Sequence, residues 1–346
     1  MTCCLRPNSI LFVLILFVSC ASTPQPVSVK QPPQDVDVVK PLSKEPERLV
    51  SSLERYKLTL NRKRVLSEEW IDSCLVDRKM QTLFIASGNS IKMFRLAEGF
   101  PYLSELRFQL EDRRIDTIRV SSKHIFLGLS DETLIVADRQ SGEVLFSVIG
   151  FYRRINSILP LDEATVLVAD SRSVKTLDLS LRKVVSEYKS NAYDVYSLVL
   201  LDDEHFATGS GAGRIEVWKR TDTIAPVVSL ARHDGEVIHL ETDGELIFSF
   251  SRDNSVGVWS KDFKKVSFFI VHSAPVLSGS LTPDGSRTIV LYEDGFVGIF
   301  AHKERKILVC EKLEVEKAKY IFALDENNFV VLSGYGAAFF YIIEKQ

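Results

Sequence analysis

The sequence lacks the local motifs of common enzyme chemistry. Its six histidines show no metal-ligand spacing, and it contains no CxxC, HExxH, Walker or GxSxG motif. It also lacks an excess of positive charge, since 43 Lys and Arg face 46 Asp and Glu for a net charge of −3. No overall basic field attracts nucleic acid. We therefore expect no nucleic-acid partner and no cofactor, and binding is favoured over catalysis.

Cysteine is scarce beyond the first twenty residues. Three of the five cysteines, Cys3, Cys4 and Cys20, lie in that short segment, which leaves Cys74 and Cys310 for the rest of the chain. Those two fall in non-adjacent copies of the repeat described below. Unpaired cysteine behaves as a small apolar residue, so two buried free thiols are favoured over a disulfide.

The N-terminus carries a targeting pattern. Residues 10–18 form an apolar run with the length of a signal-peptide core, too short to span a bilayer as a helix. The run ends in Phe17-Val18-Ser19-Cys20, which resembles the lipobox of bacterial lipoproteins, with Phe17 where Leu is usual. The resemblance implies a signal peptide over residues 1–19 and a lipid on Cys20 that binds the membrane.

The residues after Cys20 bear on the location of the protein. Ala21 and Ser22 follow it rather than Asp, which resembles the sorting pattern for the outer membrane of a Gram-negative-type envelope. The resemblance therefore implies a lipid-anchored protein of the cell envelope, at the outer membrane. A secretion signal cleaved near Ala21 without a lipid, or an uncleaved anchor, remains the alternative.

Residues 20–48 read as a tether. Six prolines lie between residues 22 and 47, and the segment shows no apolar periodicity. Such proline-rich polar chain cannot bury a core and favours an extended, solvated state. We expect it to hold the following domain away from a membrane surface.

Residues 49–346 are built on one repeat, clearest in residues 246–260, LIFSFSRDNSVGVWS. We call anchor the apolar residue near the end of the second strand of this hairpin, which is the third strand of the repeat. The anchors are Phe94, Ala137, Leu177, Trp218, Trp259, Phe300 and Tyr341, at intervals of 43, 40 and then four times 41 residues. A period near 41 held over seven copies predicts a propeller or a solenoid.

Each repeat contains four strand patterns. First strands are expected around Ile71, Ile115, Ile155, Val195, Val237, Val276 and Ala318. Apolar second strands follow, then turns at Asn89-Ser90, Asp131-Glu132, Ser171-Arg172, Ala212-Gly213, Asp253-Asn254, Asp294-Gly295 and Tyr335-Gly336. A third strand carries the anchor and a more polar fourth strand leads onward. The prediction is an all-β, seven-bladed β-propeller of four-stranded blades.

The C-terminus indicates how the ring closes. Only five residues follow Tyr341, too few for a fourth strand in the last repeat. Residues 55–66, RYKLTLNRKRVL, form a strand pattern that belongs to no repeat. We expect this N-terminal strand to complete the last blade and so cover an exposed sheet edge.

The fifth repeat resembles the WD-repeat family. His233 precedes its first strand, Ser249 lies in the second, Asp253 in the turn and Trp259 in the third. The resemblance implies a structural tetrad, a buried hydrogen-bonded chain that ties the outer loop to the turn and specifies one packing. The Trp-Asp dipeptide of the family is absent, because Ser260 follows Trp259.

The other repeats keep only parts of this pattern. The fourth has Thr208 and Trp218 but Ala212 in place of the Asp, and the sixth has His272 and Asp294. A quinoprotein-like or lactonase-like propeller remains open as an alternative.

One loop position, just before each first strand, carries the predicted partner-binding residues. Around the ring it holds Trp70, Arg114, Arg154, Asp194, Glu236, Pro275 and Lys317. In the WD-repeat family this loop lies on the face that usually receives partners. The predicted contact residues are Arg113, Arg114, Tyr152, Arg153 and Arg154 in a basic sector, then Asp194 and Glu236 in an acidic one. Arginine beside an aromatic ring is favoured at protein interfaces.

The leading functional hypothesis is an envelope-anchored, non-enzymatic scaffold that binds protein partners with this face, by analogy with other rigid propellers. One alternative is a metal-dependent propeller hydrolase with its site in the central channel. Another is a structural accessory of outer-membrane protein assembly.

Overall fold

The computed structural model describes residues 50–51, 56–97, 99–189, 194–262 and 266–346. Within these ranges the chain forms 29 β-strands and no α-helix. None of the described segments is therefore a helix able to cross a membrane. The predicted signal peptide, the predicted lipidation site Cys20 and the whole of the tether lie outside the described residues.

Two strands precede the repeats, β1 (Val50–Ser51) and β2 (Tyr56–Val65). The first blade consists of β3 (Ser73–Asp77), β4 (Thr82–Ser87), β5 (Ser90–Arg95) and β6 (Tyr102–Arg107). The second consists of β7 (Ile115–Val120), β8 (His124–Leu129), β9 (Leu134–Asp138) and β10 (Val144–Val148). The third consists of β11 (Ser157–Pro160), β12 (Thr165–Ala169), β13 (Val174–Asp178) and β14 (Lys183–Tyr188).

The fourth blade consists of β15 (Val195–Leu200), β16 (His205–Ser210), β17 (Arg214–Lys219) and β18 (Val228–Ala231). The fifth consists of β19 (Val237–Thr242), β20 (Leu246–Ser251), β21 (Ser255–Ser260) and β22 (Val266–Ile270). The sixth consists of β23 (Val276–Leu281), β24 (Thr288–Tyr292), β25 (Phe296–Ala301) and β26 (Lys306–Lys312). The seventh contains β27 (Ala318–Ala323), β28 (Asn328–Ser333) and β29 (Ala337–Lys345).

In the first five blades four antiparallel strands follow one another in chain order. The sixth blade has the same arrangement with β1 added in parallel at its edge, and the seventh takes β2 as its outer strand, which together confirm the seven-bladed β-propeller. The second strands are buried almost throughout, and all six residues of β4 are buried. Such strands are apolar along their whole length because neighbouring blades cover both faces of each sheet. All seven predicted anchors lie in third strands and are buried.

The predicted closure of the ring is confirmed. The N-terminal strand β2 pairs antiparallel with β29, from Tyr56 opposite Lys345 to Val65 opposite Ala337, and supplies the fourth strand of the seventh blade. The inner strands also join across this seam, because Lys319 donates its ammonium to the carbonyls of Ile71 and Asp72 at 2.7 and 2.9 Å. The polypeptide thus closes its own ring where β2 pairs with β29.

Several details differ from the sequence expectations. Cys74 and Cys310 are free thiols, but Cys310 lies exposed on the outer strand β26 rather than buried. In the first blade the left-handed turn residue is Gly88 rather than Asn89 or Ser90, and in the third neither Ser171 nor Arg172 has a positive φ. The parallel pairing of β1 with β26 was not anticipated.

Candidate functional site

The upper face of the ring, as we define it, carries the turn between second and third strands and the connection from each fourth strand to the next first strand. These segments are joined by backbone hydrogen bonds. Ser130 donates to the carbonyl of Arg114 at 3.0 Å, Gly211 to Asp194 at 2.8 Å and Arg252 to Glu236 at 3.0 Å. The loop position singled out in the sequence is therefore held firmly on this face.

The four residues of the proposed tetrad form one chain of hydrogen bonds in the fifth blade. His233 Nδ1 lies 2.9 Å from Asp253 Oδ2, and His233 Nε2 lies 2.7 Å from Ser249 Oγ. The indole N–H of Trp259 donates to the same Ser249 Oγ at 2.8 Å. Burial by itself would raise the pKa of Asp253, but the hydrogen bond and charge of His233 outweigh it and the pKa is lowered.

Three further residues complete this network. Ser255 Oγ donates to Asp253 Oδ1 at 2.5 Å, and the backbone N–H of Asp234 donates to Asp253 Oδ2 at 2.9 Å. Gly257 lies beside the chain, and a Cβ there would stand 2.5 Å from Ser249 Oγ. The sequence pattern did not identify these three. The network fixes the loop 232–236 relative to the turn 252–254, so this sector of the upper face is preorganised.

The third blade displays an exposed cluster of arginines around one aromatic ring. The guanidinium of Arg172 lies 3.5 Å from the centre of the Tyr152 ring, and that of Arg153 lies 5.5 Å from it. Both arginines are exposed, as is Arg154. Ile149, 77% exposed, precedes them in the same connection. We call Ile149, Tyr152, Arg153, Arg154 and Arg172 the arginine cluster.

A buried carboxylate supports the arginine cluster from below. Asp170 is inaccessible, accepts the backbone N–H of Tyr152 at 2.9 Å and pairs with Lys175. Burial alone would raise its pKa, but these hydrogen bonds and the charge of Lys175 keep the pKa lowered. The loop that presents Tyr152 is therefore held by an ionised group rather than only by chain connectivity.

The other predicted basic residues differ from one another. Arg113 donates through Nε to the carbonyl of Leu110 at 2.9 Å and lies 3.5 Å from Asp131, so its charge is engaged locally. Arg114 is exposed. Arg154 lies 3.4 Å from Asp116 of the second blade, which joins the arginine cluster to the rim of the central channel.

The predicted acidic sector is partly neutralised. Glu236 lies 3.1 Å from Arg252, which also lies 2.8 Å from Glu293 of the next blade. Asp194 is half-buried with a φ of 53°, and its backbone N–H donates to Ser171 at 3.2 Å. Glu236 is thus part of a salt-bridge network with Arg252 at its centre, whereas Asp194 is held through its backbone.

A second exposed aromatic group lies where the ring closes. Trp70 and Tyr335, 44% and 52% exposed, meet edge to face with ring centres 5.4 Å apart. The ammonium of Lys319 lies 5.4 Å from the centre of the Trp70 ring. We call Trp70, Tyr335 and Lys319 the seam aromatic group.

Residues of first strands connect the two groups electrostatically. Burial lowers the pKa of Lys319, while the charges of Asp72 and Asp116 oppose this shift and that of Arg154 adds to it. The side chains of Lys319, Asp116 and Arg154 therefore lie within each other's field. The seam aromatic group and the arginine cluster are therefore coupled electrostatically through Lys319 and Asp116, both of which are half-buried.

Sequence reasoning missed Arg172, Trp70 and Tyr335 as contact residues. Arg172 and Tyr335 occupy the turn after the second strand, so comparing that turn around the ring, as was done for the preceding loop, would have found them. The pairing of Trp70 with Tyr335 depends on closure between the first and last blades. Among the described residues, no three His, Cys, Asp or Glu side chains are grouped so as to hold a metal ion.

Comparison with known proteins gives a fold and one distant sequence relative. No family model matches the chain. A stretch of 133 residues, 38% of this chain, is 24% identical to a WD repeat-containing protein 55 homolog of Dictyostelium discoideum, and it spans 30% of that protein. A chain from a crystal structure of the mitotic checkpoint complex superposes with a TM-score of 0.70 at 13% identity, covering 82% of this chain and 94% of its own. The structural likeness shows the fold alone.

Proposed function

We propose that this chain is a protein-binding scaffold of the cell envelope that holds its partner against the upper face of the propeller. The observation that carries the proposal is the pair of exposed groups on this face, the arginine cluster and the seam aromatic group. Trp, Tyr and Arg are the residues on which binding energy concentrates at protein interfaces. Here they stand exposed on a face whose loops are tied down by hydrogen bonds, so little ordering would oppose binding.

The chemistry of the arginine cluster and the seam aromatic group indicates the kind of partner. Arg172 and Arg153 flank the Tyr152 ring and can pair with carboxylates, while Ile149 and Trp70 offer apolar contact. A partner surface with acidic side chains next to apolar ones would complement them. The solved chain of similar fold comes from the mitotic checkpoint complex, which supports the use of such a ring in assembly.

The envelope location rests on the N-terminal sequence. The apolar run of residues 10–18, the lipobox-like segment ending at Cys20 and the proline-rich tether together support a lipid anchor with a spacer. Replacing Cys20 with Ala is expected to abolish incorporation of a labelled fatty acid and to release the protein from membranes. Unchanged labelling in that variant would contradict the lipid anchor and leave the binding proposal standing.

The binding proposal is tested by affinity capture from detergent-solubilised envelopes. The bait is the mature protein, compared with an Arg153→Glu, Arg172→Glu double variant. A Lys79→Glu, Lys303→Glu variant makes the same change of charge at exposed positions on the opposite face. We expect the arginine variant to lose its partner by at least about 10-fold, since charges opposed at an interface are unfavourable, and the lysine variant to retain it.

Equal capture by all three baits would contradict the assignment to the arginine cluster. Recovery of outer-membrane assembly components, lost only in the arginine variant, would identify the partner class as that machinery.

A further inference from the structure

A cavity of about 480 Å³ opens on the lower face of the ring, opposite the upper face, at the seam between the seventh and first blades. Its walls come from β2, from the lower turns of the first blade and from the turn after β27. Small-molecule sites in proteins commonly have volumes of about 300 to 1,000 Å³. The cavity is therefore large enough for a small organic ligand.

The floor of this seam cavity is apolar. Val76, Leu96 and the rings of Phe329 and Phe340 line it. Both phenylalanines belong to the core that joins the blades, with 0% and 8% of their surfaces exposed. A hydrocarbon group placed here would contact side chains already fixed by packing, so the protein would lose little freedom on binding.

One wall carries a cation, Arg78, that has no acidic partner in the part of the chain that the structure describes. Arg78 donates through Nη2 to the carbonyl of Leu281 at 2.8 Å. The backbone carbonyl of Arg78 accepts a hydrogen bond from the side-chain amide of Gln81 at 2.7 Å. No Asp or Glu among the described residues lies within ion-pair distance of Arg78. A partly buried cation without a counter-charge is unfavourable, and an anion bound beside it would relieve that cost.

The acidic residue among the described lining does not serve as this counter-charge. Both oxygens of Asp325 accept hydrogen bonds within their own turn, from the backbone of Asn327 at 2.8 Å and the amide of Asn328 at 2.9 Å. The opposite wall adds Arg62, which lies over Gly99, and a side chain on Gly99 would collide with its guanidinium. Gly99 also has a φ of +74°, so the backbone there favours glycine.

We propose that the seam cavity binds an amphipathic carboxylate, a small molecule with an apolar body and one anionic group. The apolar body lies on Val76, Leu96 and Phe340, and the carboxylate accepts hydrogen bonds from the N–H groups of Arg78 that Leu281 and Ser280 do not use. Arginine suits this task because its planar guanidinium matches a carboxylate. This site lies on the face away from the proposed partner surface and does not depend on it.

The proposal is tested by calorimetric titration of the mature protein with octanoate, with octanol as the neutral analogue and acetate as the head group alone. We expect one octanoate site per chain, weaker binding of octanol and no measurable binding of acetate. Arg78→Met is expected to weaken octanoate by roughly 10- to 100-fold, the worth of a hydrogen bond to a charged group, and to leave octanol unchanged.

Two further variants keep the test decisive. Ala97→Trp fills the exposed rim of the cavity without touching Arg78 and is expected to weaken both octanoate and octanol. Arg172→Met removes an exposed arginine from the upper face and should leave both affinities as they are. Octanoate is also expected to raise the thermal midpoint of the unaltered protein, since a ligand that binds the folded state stabilises it.

Absence of octanoate binding at millimolar concentration would overturn the proposal. So would equal octanoate affinity in the unaltered protein and in a folded Arg78→Met variant, or unchanged binding in the Ala97→Trp variant.

Discussion

The fourth and fifth blades carry the same buried tryptophan at the same place, but they satisfy it differently. In the fifth blade the Trp259 indole donates to Ser249 and belongs to a network with His233 and Asp253. In the fourth blade the Trp218 indole N–H finds no hydrogen-bond partner among the described residues. Its ring is instead held edge to face by Tyr188, with ring centres 5.6 Å apart.

The comparison separates two roles of a buried tryptophan, which are to fill the space between blades and to take part in a polar network. Both tryptophans fill the space between blades, with exposures of 0% and 1%, and this burial suffices to build either blade. Only the fifth blade adds the polar chain that ties its upper loop to its turn. The burial of an apolar anchor therefore determines the fold, while the network determines how firmly one sector of the upper face is held.

The largest expected effect comes from removing the centre of the network. His233→Ala leaves Asp253, Ser249 and Ser255 without a shared partner, and should lower the free energy of unfolding by about 3 kcal/mol. The matched control is His205→Ala in the fourth blade, where the ring lies 3.0 Å from Asp202 in an exposed turn. It should cost no more than about 0.5 kcal/mol. Urea denaturation followed by circular dichroism measures both, and equal losses would show that the network contributes nothing.

A smaller contrast is expected between two hydroxyl groups. Ser249→Ala removes the acceptor that His233 and Trp259 share, and should cost about 2 kcal/mol. Thr208→Val removes the hydroxyl at the corresponding place in the fourth blade, where it donates only to the carbonyl of Glu216 at 3.4 Å. This change should cost less than about 1 kcal/mol. The same denaturation experiment compares them, and a larger loss in the valine variant would reverse the assignment.

The tryptophans themselves provide the most direct comparison. Trp259→Phe and Trp218→Phe remove the same volume, but only the first breaks a hydrogen bond, whereas the second removes a buried N–H that has no described partner. Trp259→Phe should therefore be more destabilising by about 1 to 2 kcal/mol. Thermal unfolding followed by circular dichroism gives the ranking. Identical midpoints would mean that Trp218 is also satisfied in solution.

The smallest expected effect is a difference in acid sensitivity. The pKa of Asp253 is lower in the folded protein than in the unfolded chain, because its bonds to His233 outweigh the effect of burial. Such a carboxylate stabilises the fold above its unfolded pKa of about 4, and this contribution is lost as the pH falls below that value. The unaltered protein should thus lose more stability between pH 6 and pH 3 than Asp253→Asn does. Asp222→Asn, in an exposed turn, should follow the unaltered protein, and parallel curves for all three would contradict the prediction.

Much of the fold could be predicted because the same burial constraint recurs in all seven copies of the repeat. Each anchor, from Phe94 to Tyr341, must be apolar since blades cover both faces of each sheet. Residues 55–66 were assigned to the last blade because β29 would otherwise present an exposed edge. Single residues were harder: Cys310 lies in a strand that reads as apolar, yet its side of the outer strand faces solvent.

The candidate site could be predicted only in part. The loop position before each first strand is recognisable from the period, and it led to Tyr152, Arg153 and Arg154. The neighbours of those side chains could not be recognised from the period. Arg172, for example, comes from a different segment and reaches Tyr152 only when the third blade folds. The same is true of Arg252, which places a positive charge between Glu236 and Glu293 in a sector that reads as acidic.

By itself the sequence determined the all-β class, the number of blades and the strand that closes the ring. These follow from period, alternation and the need to pair every edge, all of which act within one repeat or between its copies. The tertiary structure alone decided which charges are neutralised, which aromatic rings meet and where a cavity opens. Those properties depend on side chains from different blades, such as Trp70 with Tyr335 or Arg78 with Leu281, that only closure of the ring brings into contact.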